Sequence, residues 1–277
     1  MIGDVVGDPG LEVLLNRLPH LIKEYSADFV TVNGENAAAG FGLTAPHLEK
    51  LFAAGADVVT GGNHIWEQRD FWPVLESEKR VLRPMNYPNG SQSPGRGFVK
   101  VEKSFLDGTS EMPDNAAVVS WLVVNLQGRE NMAPLVDCPF KAFDALETEL
   151  SGDKPLNGGP IILVDFHAES TREKEALGYY LDGRVSVLAG THTHVQTADE
   201  RVLPKGSAYI TDLGMTGVLD GVIGMDPKIC IDRSRTQVLY RMEVAVPDSN
   251  SKTGIQGIIA EIDRETGKAV SIKRISA

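Results

Sequence analysis

The sequence predicts a layered α/β fold in which mixed β-sheets are flanked by helices. Short apolar runs are followed by polar, glycine-rich turns, helical patterns lie between the runs, and the C-terminal part adds strands around a turn. Continuous apolar runs of this length are typical of strands buried on both faces, as in a parallel sheet. Their alternation with helices indicates α/β layers. A ligand site is then expected at the carboxyl ends of the strands.

Four apolar runs define the predicted parallel strands. The strands and the turns that follow them are residues 29–32 before Asn33-Gly34-Glu35-Asn36, 56–60 before Gly61-Gly62-Asn63-His64, 161–164 before Asp165-Phe166-His167, and 185–189 before Gly190-Thr191-His192-Thr193-His194. Open α/β sheets bind ligands beyond the carboxyl ends of their strands, so the polar turns are expected to lie at one sheet edge.

Helical patterns occupy the intervals between these strands. The pattern at 11–25 predicts a first helix that Pro19 should kink or split, because proline removes a backbone donor inside a helix. A second helix is predicted over 44–54, with Thr44 as its cap and Gly55 closing it.

Two more helices are predicted further along the chain. Ser170 and Glu173 have the spacing of a capping box, which predicts a helix that continues to about residue 181. The stretch 140–150 is amphipathic and predicts a helix with one face on the core.

The C-terminal part changes character and is predicted to form strands. The segments 238–246 and 254–262 have strand patterns. Residues 270–275 follow the turn 263–268, which indicates an antiparallel hairpin. The sheets are therefore expected to be mixed rather than purely parallel.

No linker divides the chain, so residues 1–277 are predicted to form a single domain. Two stretches, 86–97 and 104–115, are polar and rich in glycine, proline and serine, and we expect them to be surface loops. Loops of this length are often functional, so these two are expected to shape a substrate cleft.

Charge and hydropathy limit the class of partner. The net charge of −11 argues against an extended nucleic-acid interface, because phosphate backbones are repelled. A small anionic substrate can still bind where metal ions reverse the field locally. No run approaches the ~18 apolar residues of a membrane span, and the N-terminus lacks a signal-peptide pattern. We therefore expect a cytoplasmic protein without a membrane partner.

Histidines mark the expected site. Four of the six follow directly on predicted strands, and these are His64, His167, His192 and His194. The other two, His20 and His47, lie in helical patterns and are interpreted as ordinary surface or core residues. The concentration of imidazoles at strand ends predicts a metal site.

The spacing of these residues suits two adjacent metal ions. His192 and His194 are two residues apart, so in extended geometry their side chains point to the same side, roughly 6–7 Å apart at the backbone. Two-metal hydrolases hold their ions about 3.5–4 Å apart, and a carboxylate such as Glu35 can bridge them. Asp4 and Asn63 offer further oxygen ligands. This mixed oxygen and nitrogen set suits Mn, Fe, Zn or Co better than a structural zinc site.

Each of these residues alone has an ordinary structural explanation, such as a helix cap for Asp4 or a solvated acid for Glu35. The prediction depends on the whole set lying at one sheet edge. Other chemistries fit less well, because the sequence contains no GxSxG elbow, no P-loop lysine motif and no HExxH.

Eight segments of the chain resemble one family of enzymes. They are GDVVGDPG (3–10), NGENAAAGFGL (33–43), GGNHIW (61–66), RPMNYP (83–88), VNLQGR (124–129), DFHAE (165–169), YLDGRVSVLAGTHTHVQTAD (180–199) and AYITDLGMTG (208–217). Together they resemble the calcineurin-like metallophosphoesterases, and within them the bacterial YmdB-type branch. The motifs NGEN, DFHAE and GTHTHVQTAD carry the resemblance to this branch.

The resemblance implies two metal ions per chain and a ligand set for each. One ion would be held by Asp4, Glu35, Asn36 and His194, and the other by Glu35, Asn63, His167 and His192. His64 would be the general acid, because it follows the ligand Asn63. The broader superfamily often has a histidine ligand where this chain has Val6, and Asn36 is expected to compensate. Family members usually begin with a full apolar strand, whereas only two residues precede Gly3 here, which implies either a start upstream or a very short strand.

The activity implied is hydrolysis of small phosphodiesters, with 2′,3′-cyclic nucleotides as the typical substrates. The implied mechanism is attack by a metal-bound hydroxide, with His64 protonating the departing ribose oxygen. The metals expected first are iron or manganese, with zinc or cobalt as alternatives. Arg129 is a candidate phosphate or base contact, and a homo-oligomer is compatible with the sequence.

Two other functions stay open at this point. One is a phosphomonoesterase or protein phosphatase on the same scaffold. The other is a regulatory protein that keeps its metals for structure. The presence of His64 argues against the regulatory protein, because a structural metal site needs no acid beside the metals.

Overall fold

The computed structural model of the protein describes residues 1–88, 93–105, 117–151 and 160–277. The strands of this part are β1 (Asp4–Val5), β2 (Thr31–Asn33), β3 (Val58–Thr60), β4 (Phe98–Phe105), β5 (Ala117–Gln127), β6 (Ile161–His167), β7 (Val187–Thr191), β8 (Arg201–Val202), β9 (Ala208–Ile210), β10 (Met215–Val218), β11 (Thr253–Ile262) and β12 (Ala269–Ser276). The α-helices are α1 (Gly7–Tyr25), α2 (Ala45–Ala53), α3 (Trp72–Ser77), α4 (Pro139–Ser151), α5 (Thr171–Leu181) and α6 (Pro227–Thr236).

The strands form two sheets, and both are mixed. One sheet has the order β4-β5-β6-β7-β9-β8, in which the four inner strands are parallel and the two edge strands are antiparallel to their neighbours. The other has the order β1-β10-β11-β12, and β2 and β3 join it through Ile2. Ile2 forms bridges to Val32 on one side and to Gly257 on the other.

Apolar side chains fill the space between the two sheets. Val58 and Ile258 of one sheet belong to the same buried cluster as Val123, Leu163 and Val187 of the other. Continuous apolar runs therefore form these strands because both faces of each sheet are covered. Burial of each such side chain contributes on the order of 1.5–3 kcal/mol, which makes this packing a main source of stability.

Helices cover the outer faces of both sheets. Leu14 and Leu18 of α1 pack with Leu51 of α2 in one buried cluster. Phe143 of α4 and Leu177 of α5 pack together on the other sheet. The order helix, sheet, sheet, helix confirms the predicted layered α/β fold with its flanking helices. None of the helices in the described ranges combines the length and the apolar character needed to cross a membrane.

The first helix differs from its prediction. It begins at Gly7 rather than at residue 11, and it continues without a break through Pro19 to Tyr25. Leu14, Leu18 and Leu21 are buried on one face, whereas Pro19 is exposed. The burial of that face holds the helix together despite the backbone hydrogen bond that proline removes.

The other predicted helices are confirmed, with a different role for one cap. Thr44 occupies the cap position of α2, but its hydroxyl contacts the imidazole of His47 instead of a helix amide. At the start of α5, the Ser170 hydroxyl accepts the backbone N–H of Glu173 at 3.3 Å, which is one half of the predicted capping box. The Glu173 carboxylate accepts the N–H groups of Arg129 and Glu130 instead of that of Ser170. Helix α4 includes the predicted stretch 140–150.

The predicted strand at 238–246 is wrong. Within it only Val244 makes a β-bridge, to Met225, and the side chains of Leu239 and Val246 are 82% and 87% exposed. No neighbouring strand is available to this segment in the described part of the chain, so its apolar residues do not form a ladder. The hairpin of β11 and β12 is confirmed as antiparallel.

The predicted loops are tested only in part. Residues 89–92 of the first and 106–115 of the second lie outside the described residues. Ser104 belongs to β4, so the second loop begins later than predicted. Strands β4 and β5 were not predicted as strands, and β4 is an edge strand of the six-stranded sheet.

Candidate metal centre

The polar turns lie at the carboxyl ends of neighbouring strands, as the sequence predicts. Strand β2 ends at Asn33, β3 at Thr60, β6 at His167 and β7 at Thr191. The residues that follow project into one region between the two sheets, where Asp4 of β1 is also fully buried. The site is therefore built from both sheets of the fold.

The first group of ligands surrounds one nitrogen of His167. Its Nε2 lies 2.9 Å from Glu35 Oε1, 3.1 Å from Asn63 Oδ1 and 3.0 Å from His192 Nδ1. One ring N–H can donate well to only one of these three atoms. The ligand atoms of Glu35, His167 and His192 lie within 4.8 Å of one another, so this group could hold a metal ion.

A second group lies on the other side of His192. His194 Nε2 is 3.3 Å from Asn36 Oδ1 and 3.9 Å from Asp4 Oδ1. The amide nitrogen of Asn36 donates to the Gly40 carbonyl at 2.9 Å, which directs the oxygen of Asn36 toward His194. These three side chains offer two oxygens and one nitrogen.

In the second group, oxygen and nitrogen atoms face one another in an arrangement that a bound cation would stabilise. His194 Nδ1 is 2.9 Å from the Ile223 carbonyl, which can only accept, so Nδ1 carries a proton, and the other ring nitrogen, Nε2, faces the oxygens of Asn36 and Asp4. Among the described residues, Asp4 Oδ1 has no hydrogen-bond partner although it is fully buried. A buried carboxylate oxygen without a partner is costly, so this donor set fits a divalent cation.

Burial and mutual charge shift the pKa values of these groups. Burial raises the pKa of Asp4 to about 7, against the opposing effect of His194 and His167. Burial alone would raise the pKa of Glu35, but the facing His167 outweighs it and lowers that pKa to about 2. Burial likewise works against the charged His167, but Glu35 raises its pKa to about 9. Burial, aided by the charge on His167, lowers the pKa of His192 to about 3, which leaves that ring neutral.

A hydrogen-bonded chain behind His167 orients its ring. His167 Nδ1 lies 3.0 Å from the hydroxyl of Thr191, which donates to Asp165 Oδ1 at 2.6 Å. Asp165 also accepts from the amide of Asn33 at 3.0 Å and from the hydroxyl of Thr60. The Thr191 hydroxyl donates its only proton to Asp165, so it can only accept from His167. His167 therefore donates from Nδ1, and its Nε2 faces the ligand group.

Sequence reasoning assigned no function to these supporting residues. Asp165, Thr191 and Thr60 each lie within or at the end of an apolar strand, and that position is a usable signal. A polar residue inside a strand buried on both faces needs a polar partner, because burial without one is unfavourable. The identity of that partner depends on the pairing of the strands.

Local backbone geometry is unusual at the ligands. His192 and His194 have φ values of 100° and 60°, which non-glycine residues rarely adopt. At Gly62, a Cβ atom would lie 2.2 Å from Glu35 Oε2 and 2.4 Å from the ring of His167. Glycine at this position therefore allows the chain to pass directly beside two predicted ligands.

His64 is adjacent to the ligand groups without belonging to them. Its backbone N–H donates to Glu35 Oε2 at 3.1 Å. Its ring is partly exposed, with Nδ1 at 3.4 Å from Glu67 Oε1 and the ring of Phe41 packed edge-on. The structure thus places this imidazole at the solvent-facing side of the site.

The structure places Arg129 apart from the ligands. Its backbone N–H donates to the buried carboxylate of Glu173. Its side chain lines a shallow cavity with Glu130, Phe140 and Arg172, and that cavity includes none of the seven predicted ligands. His47, which contacts Asp8 and Thr44, also lies outside the ligand groups.

Comparison with known proteins identifies the family. The model of the family described as YmdB-like protein matches residues 1–275. The chain belongs to the YmdB-like family. A relative from Bacillus subtilis (strain 168), named 2′,3′-cyclic-nucleotide 2′-phosphodiesterase, is 43% identical over 274 residues, which are 99% of this chain and 94% of the relative.

Solved structures agree with this assignment. A crystal structure described as a novel phosphatase from Mycoplasma pneumoniae has a TM-score of 0.84 and 34% identity, and the match covers all of this chain and 91% of that one. The calcineurin-like phosphoesterase YfkN from Bacillus subtilis has a TM-score of 0.53 and 11% identity, over 94% of this chain and 80% of that one. The latter likeness shows the fold alone.

The comparisons confirm three predictions made from the sequence. The chain is a YmdB-like protein, its fold is that of the calcineurin-like phosphoesterases, and the enzyme class, a phosphodiesterase, is confirmed at the level of the family. The YmdB-like chain also has a group of side chains, Glu35, His167 and His192, that could hold a metal ion.

Proposed function

We propose that this YmdB-like protein hydrolyses small phosphodiesters, 2′,3′-cyclic nucleotides first among them, at a centre of two metal ions per chain. The observation that carries the proposal is the meeting of Glu35, His167 and His192 near a buried oxygen of Asp4 that has no hydrogen-bond partner among the described residues. The printed name of the 43% identical Bacillus subtilis relative supports the substrate class. The net charge of −11 supports a small substrate over long RNA or DNA.

We assign the seven ligands to two ions that share one carboxylate. The first ion would be held by Asp4, Glu35, Asn36 and His194, and the second by Glu35, Asn63, His167 and His192. The sharing of Glu35 is supported by its contact with His167 and by its electrostatic effect on Asp4. When bound, such ions lower the pKa of water and neutralise phosphoryl oxygens. Iron or manganese fits the oxygen and nitrogen donors best, with zinc or cobalt as alternatives.

His64 is the proposed general acid. Its backbone is fixed to Glu35, so the ring is held beside the ligands without using either nitrogen for them. Nδ1 faces Glu67, which leaves Nε2 to protonate the departing ribose oxygen. An alkoxide leaves poorly without a proton, so hydrolysis of a diester is faster at a site that has a general acid.

The proposal also includes a substrate contact, the domain organisation and the place of action. Arg129 follows the end of β5 by two residues, and Gln127 of that strand pairs with His167, which supports a substrate contact from this loop. We propose that residues 1–277 form one domain, because the apolar core is shared by both sheets. We propose the cytoplasm as the place of action.

A panel of three substrates tests the proposed function. The protein is loaded with Mn²⁺, and kcat/KM is measured for 2′,3′-cyclic AMP, 3′,5′-cyclic AMP and AMP. We expect 2′,3′-cyclic AMP to be the best of the three. If AMP is best, the protein is a phosphomonoesterase instead. If none is turned over by protein that binds its metals, the regulatory alternative is favoured.

A further inference from the structure

A buried ion pair lies behind the metal centre, and the proposed mechanism does not use it. Lys174 of α5 and Asp212 are both fully buried, with Nζ at 2.7 Å from Oδ2. Gly190 makes room for this pair, since a Cβ there would lie 2.9 Å from Lys174 Cδ. Desolvation makes a buried ion pair a poor source of stability, so its other contacts indicate what it does.

The carboxylate of Asp212 also accepts hydrogen bonds from the loop that carries two predicted ligands. Its Oδ2 accepts the backbone N–H of Thr193 at 3.2 Å and the Thr193 hydroxyl at 2.8 Å. Its Oδ1 accepts the N–H of Gly214 at 2.9 Å. The carboxylate thus joins helix α5, through Lys174, to the backbone and side chain of one residue.

Thr193 is the middle residue of the turn His192-Thr193-His194. Both histidines have left-handed φ values, 100° and 60°, and such conformations persist only where surrounding contacts over-determine them. The two imidazoles belong to different ligand groups, because His192 contacts His167 and His194 contacts Asn36. A contact that fixes the middle of this turn therefore orients ligands of both proposed ions.

We propose that Asp212, with its charge balanced by Lys174, is a positioning residue that holds Thr193 so that both histidines are oriented for metal before metal binds. The inference rests on the proposed metal ligation by His192 and His194. Asp212 touches neither the substrate nor the metals in this role, and it acts through the turn. Supporting residues of this kind typically change metal affinity or activity 10–100-fold when they are altered.

Thr193→Val and Thr193→Ser test the role directly. Valine removes the hydroxyl that Asp212 accepts, whereas serine keeps it. With Thr193→Val we expect Co²⁺ affinity, measured by calorimetry, to fall about 10–100-fold and the Co²⁺ absorption spectrum to change. With Thr193→Ser we expect both to return close to the wild type. Thr216→Val is the matched control, because the buried hydroxyl of Thr216 has no hydrogen-bond partner among the described residues.

A second variant addresses the ion pair itself. Asp212→Asn alone would leave Lys174 buried without its counter-charge and could unfold the protein, so it is combined with Lys174→Met. We expect the double variant to melt, without metal, close to the wild-type temperature and to lose Co²⁺ affinity, because its neutral amide oxygen is a weaker acceptor for Thr193 than a carboxylate.

Three outcomes would overturn the proposal. Unchanged Co²⁺ affinity and spectrum in both Thr193→Val and the double variant would show that the turn needs no such support. Equal losses in Thr193→Ser and Thr193→Val would remove the role of the hydroxyl. If the metal-free variants melt at a temperature so low that unfolding explains the whole loss of Co²⁺ affinity, the ion pair has a structural role only. Failure of the proposed diesterase function is read separately, from the substrate panel, because metal affinity needs no substrate.

Discussion

Glu35 and His167 form a solvent-excluded ion pair, with Oε1 and Nε2 separated by 2.9 Å. The same nitrogen also faces Asn63 and His192, so the proton of His167 occupies the centre of a group of ligand atoms. A metal ion at that position would replace one positive charge by a larger one and would engage all four side chains. The carboxylate of Glu35 therefore has the central electrostatic role in the site.

Replacement of Glu35 by alanine should lower the occupancy of both proposed metal sites, because one carboxylate is assigned to both ions. Elemental analysis of reconstituted protein measures this, with a thermal melt to check that the variant is folded. Glu130→Ala removes a surface carboxylate that pairs with Arg172, and its metal content should not change. A variant at Glu35 that loses one ion and keeps the other at full occupancy would contradict the bridging assignment.

His64→Gln should retain the metals and lose most of the diesterase activity, since general acid help is worth typically 10²–10⁴-fold. The loss should be smaller for a nitrophenyl diester, whose leaving group needs little protonation. Steady-state rates on both substrates, together with metal analysis, make the comparison. An equal loss on both leaving groups, or a loss of metal, would argue against the acid role.

Gly62→Ala tests the close approach of the chain to the ligands. The added Cβ would lie 2.2 Å from Glu35 Oε2, so either the carboxylate or the loop must move. We expect a large fall in metal affinity in calorimetric titration. Gly267→Ala is the control, because its Cβ would have no neighbour closer than 3.8 Å, although Gly267 has a left-handed φ of 69° and Gly62 does not. Similar metal affinities in the two variants would show that the geometry at Gly62 is not required.

The part of the site that the sequence predicts is the part set by strand ends. Glu35, His167 and His192 were predicted because they end or closely follow short apolar runs, and a parallel sheet places the carboxyl ends of its strands at one edge. The pairing of Asp165 with Thr191 depends on which strands are neighbours, and composition along the chain does not contain that information. Resemblance to a family, rather than periodicity, supplied Asn36.

The errors in the predicted fold also have physical causes. The segment 238–246 has the apolar content of a strand, but propensity is a weak determinant, and the described part of the chain offers this segment no neighbouring strand. Pro19 disfavours a helix locally, but the four buried leucines of α1 determine the outcome. In both places tertiary contacts decide against the local preference.

Pro19 gives a direct measure of that competition. Proline in a helix interior is about 3 kcal/mol less favourable than alanine. Its rigidity lowers the entropy of the unfolded chain, which offsets about 0.4–1 kcal/mol of that cost. Because Pro19 is exposed and α1 runs through it, Pro19→Ala should stabilise the protein by roughly 2 kcal/mol, the difference between those effects. The free energy of unfolding from urea titration measures the change. Leu18→Ala, one residue away and fully buried, should cost about 2–5 kcal/mol and confirms that the assay reports on α1. If Pro19→Ala leaves the stability unchanged or lowers it, the helix accommodates proline at no cost in free energy. The packing of the leucines would then have no unfavourable proline effect to overcome.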